Sequence, residues 1–479
     1  MKYFLLIFLA AILQPIFAAP APPLKPSLDP FYSPPDGWES AQVGDILRTR
    51  KASLRSIYAE MNYKNAWQML VKTSDQFGNA TTMVTTIIEP YDADPSKIVS
   101  YSIAQDASNI DCSISYALTE GAPFFDNIMV QLETIFIQAF MEDGGYFMVI
   151  PDYQAATAAF LPALQSGYAT LDSIRAALKS SNQTRIDQDA KAVMVGYSGG
   201  SISSSWASML QPKYAPDLKS HLLGAAMGGL VSDFVAVAKN VDGGMFTGFL
   251  PMGVGGLAKT YPELQPLLKD QLSSNHYGYW LSGMDSCTLP SIFHFLNQNF
   301  FSGNDSWFKD GFGIFDDPVV KRVVDENTIV VNNQSLVPEI PIFLFHGMID
   351  EIVPYNGSVK VYDYWCEKGI ESLEFNSDMT AEHFLGLVDG SPALIEWVSK
   401  RFNNEGLVKG CKSTMRLSNL LYPNVNFTLY DEMKTAFWSI VDHIPLGPEV
   451  GLANTTSTKI RDLKSNYDLL MKRGLVDLK

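Results

Sequence analysis

Three residue types in this chain carry the chemistry of acyl transfer: a serine between glycines, a loop histidine and an aspartate at a strand end. The serine is Ser198, within Gly196-Tyr197-Ser198-Gly199-Gly200. The apolar run Ala192-Val193-Met194-Val195 precedes it, and the small-residue run Ser201-Ile202-Ser203-Ser204-Ser205-Trp206-Ala207 follows. Strand, Gly-x-Ser-x-Gly turn and helix in that order form a nucleophile elbow. Its flanking positions need glycine because a Cβ there would collide with strand or helix. An ordinary strand-to-helix turn with a capping serine has the same local pattern, so the rest of the chain must supply the partners.

A serine hydroxyl is a poor nucleophile at neutral pH and needs a base, held in the right tautomer by a carboxylate. The chain has six histidines. His383 follows the short strand Leu373-Glu374-Phe375 and precedes a helix, which is the position of the base in the chain order Ser, Asp, His. Asp350 follows the apolar strand Pro341-Ile342-Phe343-Leu344-Phe345 by way of His346-Gly347-Met348-Ile349, which is the position of the acid. Among the other histidines, His346 shapes that loop, His221, His276 and His294 fall before or inside an insertion, and His443 lies in the tail. Glu351 and Asp378 are the rival acids. The oxyanion donors are expected to be the backbone N–H of Gly199 and an N–H from the loop after the third strand, at Asp106. Asp106 as a plain turn former is the alternative. No phosphate loop, zinc-ligand spacing or dinucleotide fingerprint occurs, so neither cofactor nor metal is expected.

These residues need a sheet to place them. Residues 67–73 and 81–89 read as an antiparallel pair joined through Gly78-Asn79, and 98–103 as a third strand. Tyr146 to Ile150 is another strand, and Gln165 to Leu178 has helical spacing in Tyr168, Leu171, Ile174 and Leu178. Leu222 to Gly228 is a short strand, and Leu373 to Phe375 reads as the last one. Ser391-Pro392 reads as the start of a helix running to about Phe402. Alternating strands and helices predict an α/β fold with a mostly parallel central sheet, whose ligands sit at the carboxyl ends of the strands. Between 231 and 338 the rhythm gives way to glycine-rich and aromatic stretches, read as an inserted helical cap. The expected organisation is a signal peptide at 1–19, a proline-rich arm or trimmed propeptide at 20–36, core at 37–230 and 339–410, the cap at 231–338, and a tail or flap at 411–479.

Hydrophobic residues make up 47% and charged residues 18%, which permits a large core. A net charge of −16 argues against nucleic acid as a partner. Lys2, the apolar run Tyr3 to Leu13, Pro15 and the small residues Ala18 and Ala19 read as a secretory signal. That run is too short for a membrane span, so a secreted, soluble monomer is expected. Four cysteines, Cys112, Cys287, Cys366 and Cys411, suit two disulfides in such a chain, with three possible pairings. Glycosylation sequons begin at Asn79, Asn182, Asn304, Asn333, Asn356, Asn426 and Asn454.

The elbow, with Trp206-Ala207 and Tyr214-Ala215-Pro216, resembles the fungal secretory lipase family, the lipase A-like group. So do Val149-Ile150-Pro151-Asp152-Tyr153, Leu171-Asp172-Ser173-Ile174-Arg175-Ala176-Ala177, the stretch from His346-Gly347 through Asp350 to Val353-Pro354, and Glu382-His383. The resemblance covers roughly residues 30 to 440. It implies an α/β-hydrolase core, a helical cap with an acyl-binding site, a C-terminal flap, and hydrolysis of triacylglycerols and other esters at a lipid–water interface. It carries Ser198, Asp350 and His383 onto the family's triad, Asp106 and Gly199 onto its oxyanion positions, and implies the disulfides Cys112–Cys287 and Cys366–Cys411. Two other readings keep the same fold: a secreted serine peptidase and a non-catalytic binding protein. The peptidase lacks a signature for a charged chain end, and the intact Ser198, Asp350 and His383 stand against the non-catalytic reading.

Overall fold

The computed structural model describes residues 22–56, 61–331 and 336–441. The signal segment, the sequons at Asn333 and Asn454, His443 and the tail beyond 441 lie outside the described residues. Among the described residues ten strands form one sheet: β1 (Ile46–Lys51), β2 (Asn65–Ser74), β3 (Ala80–Glu89), β4 (Asp94–Ser102), β5 (Tyr146–Pro151), β6 (Lys191–Tyr197), β7 (Leu222–Gly228), β8 (Ile342–Gly347), β9 (Ser372–Asp378) and β10 (Gly410–Arg416). Their spatial order is β1-β2-β3-β5-β4-β6-β7-β8-β9-β10. The pairs β1–β2, β2–β3 and β3–β5 are antiparallel, and every pair from β5–β4 to β9–β10 is parallel.

Among the described residues the α-helices longer than about one turn are α1 (Phe124–Leu132), α2 (Thr134–Gly144), α3 (Ala163–Lys179), α4 (Gly199–Tyr214), α5 (Phe234–Val241), α6 (Phe249–Thr260), α7 (Leu264–Gln271), α8 (Ser274–Met284), α9 (Thr288–His294), α10 (Pro318–Glu326), α11 (Tyr355–Glu367), α12 (His383–Phe402) and α13 (Phe427–Val441). The central parallel strands β5, β6 and β8 are nearly continuous apolar runs because helices cover the sheet on both sides. Val193, Met194 and Val195 of β6, for instance, are all buried. Packing of α3 against β2 and β5, α4 against β6, and α12 against β7 and β8 supplies that cover. Helices α5 to α10 all fall between β7 and β8 and carry an aromatic cluster of their own around the buried Trp280, Phe295 and Phe300. No helix among the described residues is long and apolar enough to cross a membrane.

One sequence expectation is made definite and three are corrected. From Pro22 onward the proline-rich segment, expected as an extended arm or a trimmed propeptide, lies docked on the chain. Asp29 pairs with Arg50 of β1 at 2.5 Å, the Arg50 guanidinium lies 4.1 Å from the Phe31 ring centre, and the Tyr32 hydroxyl meets Ser115 Oγ at 2.8 Å. β9 is not the last strand, since β10 pairs with it in parallel. The expected core boundary at 410 therefore falls inside the sheet. Ser391-Pro392 does not start a helix: α12 runs through both residues. Ser391 Oγ donates to the Leu387 carbonyl at 2.6 Å, a mid-helix back-bond rather than a cap. Burial of α12 on the sheet outweighs the break that a helical proline favours.

Candidate functional site

Ser198 sits between β6 and α4 with φ 50° and ψ −124°, a backbone conformation that costs a non-glycine residue about 1–3 kcal/mol. Its surroundings hold it there. Its N–H donates to the Gly228 carbonyl at 3.0 Å, and its own carbonyl accepts from Ser201 N at 2.8 Å. A Cβ on Gly196 would overlap the Gly200 carbonyl, and one on Gly200 would overlap the Ser102 carbonyl. Glycine at both positions thus lets strand, turn and helix pack in contact.

His383 is the first residue of α12, where β9 and the turn after it deliver it to the elbow. Its Nε2 lies 2.8 Å from Ser198 Oγ and its Nδ1 2.7 Å from Asp350 Oδ2. Asp350 follows β8, and its other oxygen accepts from the backbone N–H groups of Ile352 at 2.9 Å and Val353 at 2.7 Å. Ser198, His383 and Asp350 are all buried. Burial by itself would raise the Asp350 carboxyl, but His383 and His346 outweigh it and hold the group far below the ordinary carboxylate range. Burial also opposes charge on His383, but the Asp350 carboxylate, with Glu351 and Asp106, turns the balance and raises the imidazole above its usual value.

The rival acids have other duties. Glu351 accepts from the backbone N–H of His383 at 2.8 Å, tying down the first turn of α12. Asp378 accepts from Thr380, Ala381 and Asn419 backbone N–H groups at 2.9, 3.0 and 2.7 Å, which fixes the turn leading into His383. His346 does more than shape its loop: its Nε2 lies 3.2 Å from Asp350 Oδ2 and 3.0 Å from the Val353 carbonyl, with Nδ1 2.6 Å from Ser358 Oγ. The other histidines within the described residues stand elsewhere. His221 meets the Ala190 carbonyl, His276 stacks on Trp307, and His294 on Tyr279.

Asp106 follows β4 with φ 50°, and its carboxylate touches the position that a Cβ on Gly199 would occupy. Among the described residues neither the Asp106 nor the Gly199 backbone N–H has a protein acceptor. Two donors are thereby left beside Ser198. The Asp106 carboxyl is buried with Oδ1 unpartnered, and burial pushes it up to about 7 against the pull of His383. Beneath it lies Glu133, which sequence reasoning passed over because nothing in its local pattern marks it. It accepts from Ala104 N at 2.8 Å and from the Tyr101 hydroxyl at 2.9 Å, so it fixes the loop that carries Asp106. Burial pushes Glu133 up to about 8. Tyr197, the variable residue of the elbow motif, was also missed: its hydroxyl donates to the His383 carbonyl at 2.6 Å.

Ser198, Gly199 and Asp106 open onto a cavity of about 80 Å³. Its walls are apolar and come mainly from the insertion, with Phe234, Phe249, Val254 and Phe301 among them, and from Phe160 and Leu161. Among the described residues Asp106 is the only charged one that lines it. The insertion is fastened to the Asp106 loop by the Cys112–Cys287 disulfide, by Ser108 Oγ donating to the Met252 carbonyl at 2.6 Å, and by Thr288 Oγ1 donating to the Gln105 carbonyl. The second disulfide, Cys366–Cys411, joins α11 to β10. Asn79, Asn182, Asn304, Asn356 and Asn426 are exposed. Asn426 already serves as a cap, its Oδ1 accepting from Thr428 and Leu429 N–H at 3.1 and 3.2 Å. No group of acidic, histidine or cysteine side chains among the described residues has the arrangement of a metal site.

Comparison with known proteins bears on family and fold. The family model described as "Secretory lipase" matches residues 120–410. "Lipase 1" of Candida albicans is 42% identical over 96% of this chain and 98% of its own length. "Lipase A" of Arthroderma benhamiae is 34% identical over 89% of this chain and 90% of its own. The X-ray structure of Candida antarctica lipase A in its closed state superposes with a TM-score of 0.76 at 25% identity, covering 88% of this chain and 96% of that one.

Proposed function

The chain belongs to the secretory lipase family, and from that premise we propose that it is a secreted serine lipase or esterase cleaving carboxylic esters, triacylglycerols among them, through an acyl-enzyme. The observation that carries this reading is the continuous path from Asp350 through His383 to Ser198 Oγ, at 2.7 and 2.8 Å, beneath an apolar cavity. Among the described residues a charged peptide terminus would find only Asp106 in that cavity.

The ester enters with its acyl chain along the apolar wall and its carbonyl carbon over Ser198 Oγ. His383 Nε2 takes the serine proton as Oγ bonds to that carbon. The carbonyl π electrons move to oxygen, and the oxyanion accepts hydrogen bonds from the Gly199 and Asp106 N–H groups. Asp350 stabilises the imidazolium. The C–O bond to the alcohol then breaks, and His383 gives its proton to the leaving oxygen. Water repeats the sequence on the acyl-serine, releasing the acid and restoring Ser198. The insertion over residues 231–338 acts in this reading as a cap that selects the acyl chain, and the exposed sequons are candidates for glycans.

Rates on p-nitrophenyl esters of graded length and on a triacylglycerol emulsion test the proposal. Ser198→Ala is expected to lower kcat by a factor on the order of 10⁴–10⁶ and to abolish labelling by a serine-reactive phosphonate. Hydrolysis at the parent rate by that variant would sink it.

A further inference from the structure

A second cavity, of about 220 Å³, lies on the face of β9 and β10 beneath the C-terminal half of α12. Ser372 and Glu374 of β9 and Lys412 and Arg416 of β10 share that face, as the two-residue strand period and the register Lys412 to Glu374 require. Trp397, Lys400 and Arg401 of α12 and the buried Tyr422 complete the walls. The site is remote from Ser198. His383 and Arg401 stand at opposite ends of α12, roughly 27 Å apart at the helical rise.

Arg401 is the unusual member. It is only 6% exposed, its Nε is buried with no partner, and no hydrogen bond or ion pair to its guanidinium forms among the described residues. The Trp397 ring lies 4.9 Å from its guanidinium carbon and offers no acceptor oxygen. Buried guanidinium groups ordinarily have their donors filled, because each unfilled donor has lost its water for nothing. The neighbouring cations leave the same deficit. Arg416 has a neutral partner, the Asn376 side-chain oxygen, and Lys412 at the rim has none among the described residues. Lys400 alone is matched, by Glu396 at 3.0 Å. The two carboxylates in the walls, Glu374 and Glu405, act on Arg401, and Glu374 on Arg416, only through space, and neither forms an ion pair with these cations among the described residues. Four basic side chains against two acidic ones line this cavity, in a protein of net charge −16.

We propose that this cavity is a binding site for a small oxyanion, phosphate or carboxylate, gripped by Arg401 with Arg416 and Lys412 at its rim. A planar guanidinium donates two parallel hydrogen bonds to either group, and such charge-assisted bonds are the strong ones. The aromatic faces of Trp397 and Tyr422 keep the cations in place, with Lys400 and Arg416 4.9 and 5.3 Å from the Tyr422 ring centre. An anion bound there ties α12, which begins at His383, to β9 and to β10, which carries Cys411.

The test is calorimetry and thermal melting of the full chain with inorganic phosphate and, separately, with citrate, each against chloride at matched ionic strength. Saturable binding of at least one, with a rise in melting temperature, is expected. Phosphate alone, citrate alone or both would name the preferred oxyanion. Arg401→Met, of similar volume, and Lys412→Met, at the exposed rim, should each weaken binding by about tenfold or more, while Lys321→Met on the distant α10 should not. If Arg401→Met fails to fold, Lys412→Met and Arg416→Gln decide. Responses no greater than with chloride, or binding that survives these rim substitutions unchanged, would overturn the proposal.

Discussion

The floor and the roof of the Ser198 cavity are built on different physics. The floor is polar and fully specified: both Asp350 oxygens, both His383 nitrogens and the His383 backbone N–H and C=O all have partners between 2.6 and 3.2 Å. The roof touches the cavity with phenylalanine, valine and leucine, whose contacts are non-directional. It is fastened by a disulfide and a few hydrogen bonds to the Asp106 loop. A bond to the floor that fails has no substitute, whereas a side chain in the roof can shift and still exclude water. Chemistry should therefore break steeply with changes below, and selectivity should change gradually with changes above.

Asp350→Asn is the steepest test. It keeps the shape of the floor but favours the wrong His383 tautomer, and should lower kcat by about 10⁴ with little change in melting temperature. A loss within tenfold would mean that His346 or Glu351 substitutes for it.

The pH profile is the next. His383, raised above the ordinary imidazole value, must be neutral to act, so kcat/KM should rise with pH on the acid side. Asp106, held up to about 7 by burial, places a negative charge beside the oxyanion once it ionises, so the rate should fall above that. Asp106→Asn should remove the alkaline limb and move the acid limb down, since a charge that raised His383 is gone. An unchanged alkaline limb would remove Asp106 from the account.

Stability gives a weaker signal in the same window. Asp106, Asp152 and Asp389 are raised to about 7 and Glu133 to about 8, each chiefly by burial. A carboxyl with a raised folded-state pKa binds its proton more tightly in the folded chain. The stability it contributes is complete below the ordinary carboxyl range and is lost as pH rises through 7 to 8. Asp350 works the other way, but its loss lies far below that range. Melting temperature should accordingly fall between pH 5 and 8, and a rise would contradict the burial of these four acids.

The roof should answer most gently. Gly253 of α6 lines the cavity, and a Cβ there would stand 2.9 Å from Leu161 Cδ1, the end of a flexible side chain. Gly253→Val should shorten the acyl space and lower the ratio of long-chain to short-chain ester rates by about tenfold, with the short-ester rate kept. Equal loss on every ester would mean that the insertion supports the floor rather than selecting the chain.

Much of the site was legible because it is written in local patterns. An apolar run of strand length ending in a glycine-flanked serine, and another ending at Asp350, specify strands and turns within a few residues. Errors arose where non-local packing overrode a local signal. Ser391-Pro392 has the composition of a helix start, but α12 is already held on β7 and β8. Residues 410–416 carry little apolar pattern and become a strand only because β9 offers an edge. The proline-rich segment is fixed by Arg50 and Ser115, which its own sequence does not reveal.

By itself the sequence determined the kinds of groups available: a serine on a strained turn, a carboxylate after a strand and a histidine before a helix. Propensity, glycine placement and hydrophobic period act over a few residues, and that is the range of these features. Only the tertiary structure decided which carboxylate meets which nitrogen. Asp350 and Glu351 are neighbours in the chain, yet one reaches His383 Nδ1 and the other its backbone N–H. Ser198 and His383 lie 185 positions apart. They meet because the parallel order β6-β7-β8-β9 brings the carboxyl ends of these strands to one edge, and that order is fixed by burial across the whole sheet.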